Sequence, residues 1–109
     1  MDDDSRFLCE AIELARANIG KGGRPFGAVL VRDGEMIAAS VNEMHTTNDP
    51  TSHAEMNAIR AASRKLGSPD LSGSAVYASG HPCPMCMAAM RLSGVGKVSI
   101  AGPRVRLRV

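Results

Sequence analysis

The chain has 109 residues, of which 44% are apolar and 3% are aromatic, and its formal net charge is +2. This length allows one small domain with a modest core and leaves no room for a second. The small net charge does not indicate a polyanionic partner, and the scarcity of aromatic side chains argues weakly against single-stranded nucleic-acid binding.

The first predicted element is a helix from Ser5 to Ile19. Its apolar residues recur at the spacing of one helical face, at Leu8, Ala11, Ile12, Ala15 and Ile19. Ser5 is expected to cap the start of this helix, and Gly20 is expected to end it. Cys9 lies inside the helix and is expected to be a small core side chain.

A β-hairpin follows. Two runs rich in Val, Ile, Leu and Ala, residues 27–32 and 35–41, are separated only by Asp33-Gly34. Asp-Gly between two such runs is a strong signal for a two-residue hairpin turn. Met44 to Thr51 is then predicted to be a polar connection.

The second half alternates helices and strands. The predicted elements are a helix over 52–66, a strand over 74–79, a helix over 84–92 and a strand over 97–101. The order α-β-β-α-β-α-β predicts an α/β fold with helices packed on a mixed sheet. The tail, residues 102–109, alternates Arg with Val or Leu and is predicted to be either an edge strand or disordered.

Two short clusters carry residues with metal and acid–base chemistry, His53-Ala54-Glu55 and Cys83-Pro84-Met85-Cys86. One imidazole and two thiols suit zinc, and the sequence offers no equally good fourth ligand, so the fourth position is expected to hold water. His53 is predicted to lie in the first turn of its helix. The two cysteines are predicted at the start of the next helix, where the dipole lowers a thiol pKa. Zinc activates its water, and Glu55 is close enough to accept the proton without ligating.

Each cluster also has a simpler interpretation. Ser52-His53-Ala54-Glu55 fits a capping box, in which Glu55 bonds only to the backbone. Cys-x-x-Cys alone fits a redox pair or half of a structural zinc knuckle. His81 precedes the second cluster and is expected to line the pocket, to compete for the open metal position, or to be a partly exposed loop residue. His45 is expected to be a loop residue.

Three motifs carry a family resemblance: Pro25-Phe26-Gly27-Ala28-Val29, then residues 48–55 (NDPTSHAE), then Pro82-Cys83-Pro84-Met85-Cys86. Over residues 6 to about 101 the chain resembles the cytidine deaminase superfamily, and within it the guanine deaminase and tRNA adenosine deaminase branch. The resemblance implies a three-layer α/β/α fold with four or five strands, assembled as a dimer or higher oligomer. Residues 1–109 would then form a single zinc-dependent deaminase domain with an atypical tail.

The resemblance also implies roles for particular residues. His53, Cys83 and Cys86 would be the zinc ligands, and Glu55 the catalytic proton shuttle. In the substrate pocket, Phe26 would stack on a base, Asn42 would hydrogen-bond it, and the backbone N–H of Ala54 would contact the substrate or the water.

The function expected from these residues is hydrolytic deamination of a small purine, with guanine giving xanthine and ammonia. The alternatives are deamination of the tRNA wobble adenosine, where nucleic acid would be the partner, and a cytosine or cytidine deaminase. An alternative of another class is a zinc-stabilised oligomerisation module without catalysis.

Two departures from the family pattern stand out. Relatives usually carry glutamate where His81 stands, and they continue for several tens of residues beyond the fourth strand, which leads to the hypothesis of a truncated or out-of-frame ending.

Three cysteines do not suggest a disulfide framework, and neither a signal peptide nor an apolar run of 18 residues is evident. A cytoplasmic location without membrane association is expected.

Overall fold

The computed structural model describes residues 2–101 and the backbone of residues 105–108. The helices are α1 (Asp3–Gly20), α2 (Met44–Thr47), α3 (Ala54–Leu66) and α4 (Pro84–Ser93), and the strands are β1 (Gly27–Arg32), β2 (Glu35–Val41), β3 (Ser74–Ala78), β4 (Lys97–Ile100) and β5 (Val105–Arg108). The five strands form a mixed sheet in the order β2-β1-β3-β4-β5, in which only the β3–β4 pair is parallel.

The hairpin forms as the sequence predicted, and the bounds of β1 and β2 agree with the prediction. Asp33 and Gly34 both adopt positive φ angles, of 53° and 75°. Positive φ at both central residues defines the turn type whose twist matches a β-hairpin, and Asp-Gly is among the pairs that favour it. The Asp-Gly turn thus fixes the register next to it, with Arg32 opposite Glu35 and Val31 opposite Met36, and an irregularity between Leu30 and Val31 shifts the register of the remaining pairs.

Helices cover both faces of the sheet, which confirms the expected three-layer α/β/α fold. On one face α1 packs through a cluster comprising Phe7, Leu8, Ala11, Val29, Val31 and Tyr77. On the other face, α3 and α4 pack on a larger cluster comprising Ala28, Leu30, Ala38, Ala54, Ala58, Ala62, Leu71, Val76, Cys86, Met90, Val95 and Val98. Alternate residues of β1 and β3 point to opposite faces, as the pleat of a sheet requires.

Helix α1 differs from its prediction in two respects. It begins at Asp3, because the side chain of Asp2, and not that of Ser5, provides the N-cap and accepts the Ser5 N–H at 2.7 Å. Its buried face comprises Phe7, Leu8, Ala11, Ala15 and Asn18. The buried face therefore includes a polar residue, Ile19 is 56% exposed, and Cys9 lies on the surface, so the prediction of a core Cys9 was wrong.

Two further segments refine the prediction. The connection that begins at Met44 contains the one-turn helix α2. Of the two alternatives for the tail, the structure has the edge strand, since β5 pairs antiparallel with β4. Residues 102–104 and 109, which belong to the same tail, lie outside the described residues. Among the helices of the described residues, none is both long enough and apolar enough to cross a membrane.

Candidate functional site

The three residues predicted to bind a metal lie at the N-terminal ends of two neighbouring helices. His53 is the N-cap of α3, Cys83 is the N-cap of α4, and Cys86 lies in the first turn of α4. Pro84 at the first position of α4 has no N–H to lose, so it favours a helix start at this point. Because α3 and α4 pack side by side on one face of the sheet, their N-termini bring the three side chains together.

The capping-box interpretation of Ser52 and Glu55 is wrong. Helix α3 starts at Ala54, one residue later than a Ser52 cap would allow, so Ser52 is not its N-cap. The hydroxyl of Ser52 instead exchanges hydrogen bonds with the side chain of Asn57, at 3.1 and 3.3 Å. Glu55 is therefore not engaged in a reciprocal cap.

The three ligand atoms are spaced as a tetrahedral zinc site requires. His53 Nδ1 lies 3.5 Å from Cys83 Sγ and 3.6 Å from Cys86 Sγ, and the two sulfurs are 3.6 Å apart. Zinc–sulfur bonds of about 2.3 Å and zinc–nitrogen bonds of about 2.0 Å at tetrahedral angles place such atoms about 3.5–3.8 Å apart. The donor set and its spacing thus fit zinc, and among the described residues no fourth His, Cys, Asp or Glu completes the group.

The pKa of the Cys86 thiol is raised, whereas a lowered pKa was predicted. Burial raises the pKa of the Cys86 thiol far above its ordinary value, and the nearby Glu55 carboxylate and Cys83 raise it further. A hydrogen bond with the backbone of Met56 lowers it by less. The helix N-terminus is therefore not enough to ionise Cys86, and a bound cation is the charge that would stabilise the thiolate.

Glu55 lies beside this cluster and is almost entirely removed from solvent, with 7% of its surface exposed. Burial raises the pKa of its carboxyl, while a backbone hydrogen bond, the charge of His53 and a contact with Cys86 act in the opposite direction. Its carboxyl group is nevertheless part of the wall of a pocket. A carboxyl group in such surroundings can hold a proton at a higher pH than an exposed one.

The pocket has a volume of about 150 Å³ and opens to solvent. It is lined by Arg24, Phe26, Asn42, Met44, His53, Ala54, Glu55, His81 and Cys83. The structure therefore brings all three predicted substrate-binding residues into one cavity with the histidine, one cysteine and the glutamate. Cys86 lies behind them and is fully buried.

The ring of Phe26 forms one wall of the pocket and rests against bare backbone. A Cβ atom placed on Gly80 would lie 3.2 Å from Phe26 Cε1, closer than an ordinary van der Waals contact. The absence of a side chain at Gly80 therefore makes room for the ring, which is itself 40% exposed. A flat ring with an open face suits stacking on a flat ligand.

Asn42 is 2% exposed, and one end of its side-chain amide is bound by its own loop. Its Oδ1 accepts the backbone N–H of Met44 at 3.1 Å, so the other end of the amide is the NH₂ group. Among the described residues this Nδ2 has no protein acceptor, and the residue lines the pocket. Asn42 thus offers the pocket a hydrogen-bond donor.

Sequence reasoning missed two pocket residues, Arg24 and Met44. Arg24 immediately precedes the Pro25-Phe26 motif, and this adjacency was the available signal in the sequence; Met44 has no such signal.

His81 lines the pocket, and its Nδ1 lies 3.0 Å from the carbonyl oxygen of Pro82. His45 lies in α2 outside the pocket lining, with its ring against Gly23.

Comparison with known proteins adds a family match. The family model described as the cytidine and deoxycytidylate deaminase zinc-binding region matches residues 1–102. The chain is 48% identical over 85 residues to a guanine deaminase of Bacillus subtilis, a match covering 77% of this chain and 54% of that protein. It is 41% identical over 92 residues to a tRNA-specific adenosine deaminase of Aquifex aeolicus, covering 84% of this chain and 61% of the relative.

The fold is also shared with solved structures. A crystal structure of guanine deaminase from Bacillus subtilis superposes with a TM-score of 0.87 at 43% identity, covering 90% of this chain and 63% of that one. A structure of the protein NE0047 in complex with 2,6-diaminopurine superposes with a TM-score of 0.86 at 32% identity, covering 93% and 57%. The chain thus spans between about half and two thirds of the length of these relatives.

Proposed function

Because the chain belongs to the cytidine and deoxycytidylate deaminase family, in its zinc-binding region, we propose that it catalyses the hydrolytic deamination of a purine base. Guanine is the first candidate, since the Bacillus subtilis relative is a guanine deaminase. The products would be xanthine and ammonia. Water supplies the oxygen of the new C–O bond, the bond from carbon to the exocyclic nitrogen breaks, and no oxidant or reductant is needed.

The observation that carries this proposal is the three-ligand cluster with a buried carboxyl group beside it in the wall of a pocket. His53, Cys83 and Cys86 are the proposed zinc ligands, because their donor atoms lie 3.5–3.6 Å apart. Zinc bound there would supply a Lewis acid that lowers the pKa of a water molecule from 15.7 to about 7. Three protein ligands are the number found in catalytic zinc sites, whereas structural sites have four.

Glu55 is the proposed proton carrier. It would take one proton from the attacking water and deliver it to the ring nitrogen or to the departing amine, so its carboxyl must be neutral at one stage and ionised at another. Its position at the start of α3, next to His53 and in the pocket wall, supports this role. In the described residues no lysine or arginine pairs with it that would hold it permanently ionised.

Three further groups are proposed to orient the base. The open face of Phe26 would stack on its ring, and Asn42 Nδ2 would donate to an acceptor on its edge. The backbone N–H of Ala54, the first residue of α3, has no partner within the helix and would contact the substrate or the water. Together the three would select a flat heterocycle that carries an acceptor.

The test is an ammonia-release assay on the zinc-loaded chain with guanine, adenine, cytosine, cytidine and a tRNA anticodon stem-loop, with zinc measured alongside. We expect turnover of guanine above the other small substrates, at one zinc per chain. Zinc at one per chain without ammonia from any substrate would reject catalysis and leave the zinc-stabilised module. Turnover of cytosine or cytidine alone would reject a purine substrate.

The second candidate is deamination of the tRNA wobble adenosine, favoured by the identity to the Aquifex aeolicus relative. Arg24 at the pocket is compatible with a phosphate backbone nearby. Phosphate contacts make affinity fall steeply with salt, whereas a free base shows little dependence. A steep loss of activity between 50 and 200 mM salt, with the stem-loop as the substrate, would favour this candidate over guanine.

We also propose that the chain assembles as a homodimer. Leu92, on the outer side of α4, is 89% exposed, and Ala88 one turn earlier is exposed too, so a second copy would cover an apolar patch on this helix. Light scattering should give twice the chain mass, and Leu92→Glu should give the monomer.

The proposed compartment is the cytoplasm, because a zinc site needs Cys83 and Cys86 reduced.

A further inference from the structure

Two consecutive backbone carbonyls at the end of β2 are held by side-chain amides from opposite faces of the sheet. Asn18 of α1 donates its Nδ2 to the carbonyl oxygen of Asn42 at 2.8 Å. Asn57 of α3 donates its Nδ2 to the carbonyl oxygen of Val41 at 3.0 Å. The segment that carries Asn42 is thus fixed by both helical layers.

The Val41 carbonyl needs a side-chain partner because β2 is an edge strand. The Asn42 carbonyl needs one because the N–H of Phe26, the residue that Asn42 N–H bonds, donates to the carbonyl oxygen of Arg24 instead. Val41 stands opposite Gly27, whose N–H donates to Ser79 Oγ and whose carbonyl accepts from Ser79 N–H. Gly27 therefore directs its backbone groups toward Ser79 and leaves Val41 without a ladder bond. A backbone carbonyl that is buried without a partner costs about 1–3 kcal/mol, so the two amides stabilise the segment by pairing carbonyls that the sheet leaves unpaired.

The same amides connect this segment to the rest of the site. Asn18 Nδ2 also donates to the carbonyl oxygen of Arg24 at 2.8 Å, on the loop that leads to Phe26. Asn57 Nδ2 also lies 3.1 Å from Ser52 Oγ, and the backbone N–H of Asn57 donates to the carbonyl oxygen of His53. One asparagine therefore joins Asn42 to the stacking wall, and the other joins it to the metal-binding end of α3.

We propose that Asn18 and Asn57 are positioning residues that together aim the amide donor of Asn42 into the pocket. Neither lines the pocket itself, so each acts through the backbone on which Asn42 is mounted. The proposal deepens the proposed function, on which it rests for the role of Asn42. It predicts that loss of either amide weakens ligand binding only when the side chain of Asn42 is present.

The first experiment is a pair of double-mutant cycles on the zinc-loaded full chain carrying Glu55→Gln, so that the probe is not deaminated, with 2,6-diaminopurine as the probe and calorimetry as the readout. Asn57→Asp and Asn18→Asp keep the shape but place an oxygen against the carbonyls, and each should weaken binding about tenfold. In an Asn42→Ala background each should weaken it by less than about twofold. An equal loss in both backgrounds would overturn the proposal, because a general structural defect acts regardless of residue 42.

A control and a second pair of variants keep this result interpretable. Ser93→Ala removes two side-chain bonds to carbonyls, those of Ala89 and Met90, at the far end of α4 and should change the probe affinity by less than about twofold. If the aspartate variants do not fold, Asn18→Ser and Asn57→Ser, which leave space for water, are taken through the same cycle.

The second experiment needs no ligand and separates this proposal from the proposed function. The Met44 N–H bound to Asn42 Oδ1 should exchange with solvent about tenfold faster in Asn57→Asp and Asn18→Asp, relative to the amide of Met90 in the same sample. Unchanged exchange at Met44 would overturn the positioning role. Faster exchange in a chain that binds no purine would uphold it while rejecting the purine substrate.

Discussion

The N-terminus of α1 and the N-termini of α3 and α4 are built differently. Helix α1 has an aspartate cap, Asp2, whose side chain accepts a backbone N–H, and two further acidic residues in its first turn. Helices α3 and α4 have His53 and Cys83 at the corresponding position, and neither makes a side-chain cap bond. The two helices that form the site thus lack the usual stabilisation of a helix start, typically about 1 kcal/mol each.

This difference shows where the chain gives up stability for function. A capping side chain points back at its own helix, whereas a ligand must point at a neighbour, so one residue does not readily do both. The C-terminal ends of the same helices are ordinary: Gly67 and Gly94 end α3 and α4 with φ angles of 66° and 92°. The departure is therefore confined to the metal-binding ends.

The largest expected effect separates chemistry from metal binding at the start of α3. Glu55→Gln keeps the size of the side chain but removes its ability to carry a proton, so the rate of ammonia release should fall by about 10²–10⁴-fold. Zinc content, measured by atomic absorption, should stay at the wild-type value. Glu10→Gln, on the exposed side of α1, serves as the matched control, and full activity in Glu55→Gln would refute the proton-carrying role.

Removal of zinc should destabilise the first turns of α3 and α4 and leave the first turn of α1 unchanged. At free zinc one hundred times its dissociation constant, binding adds about 2.7 kcal/mol to the free energy of unfolding. Chelation should therefore lower the melting temperature by about 10–20 °C. Amide exchange should rise more in the first turns of α3 and α4 than in that of α1. An equal rise in amide exchange at the three helix starts would contradict the view that only α3 and α4 depend on the metal.

The C-terminal ends provide a test of backbone geometry that does not involve the metal. A Cβ atom added at Gly67 has no atom within 4 Å, so Gly67→Ala should lower the free energy of unfolding only through the left-handed backbone, by about 1–2 kcal/mol. Gly20→Ala also meets no atom and stands at ordinary φ, so this matched control should lose no stability. Urea unfolding measures both, and altered zinc content in Gly67→Ala would show that the two ends of α3 are not independent.

The smallest expected effect concerns the conventional cap. Asp2→Ala should lower the free energy of unfolding by about 1 kcal/mol because the Ser5 N–H loses its acceptor. Zinc affinity should not change. Asp3→Ala, which removes an exposed pair with Arg6, is the control and should cost about 0.5 kcal/mol or less. A loss of zinc in Asp2→Ala would mean that α1 supports the site directly.

What could be predicted from the sequence depended on short-range chemistry. The Asp33-Gly34 turn fixed the hairpin, because few residue pairs adopt two positive φ angles. The ligand set was equally local, since Cys83 and Cys86 are one turn apart and only His53 needed to arrive from elsewhere.

What could not be predicted depended on partners distant in the chain. Asn18 bonds to a carbonyl 24 residues away, and Asn57 to one 16 residues away. An isolated asparagine on a helix is usually a surface residue, so the sequence carries no sign that either amide is needed inside. The buried face of α1 was wrongly predicted for the same reason. Because Asn18 is buried, the helix is rotated from its predicted orientation, and Ile19 and Cys9 are exposed.

The bare backbone beside the Phe26 ring has a practical consequence. Because a methyl group on residue 80 would stand 3.2 Å from Cε1, Gly80→Ala would push the aromatic plane by a few tenths of an ångström. The proposed slot for a flat heterocycle can thus be made narrower from the side of residue 80. Engineers who wish to retune which ring system is accepted have a single-atom adjustment that leaves the donors, the carboxylate and the metal-binding atoms untouched.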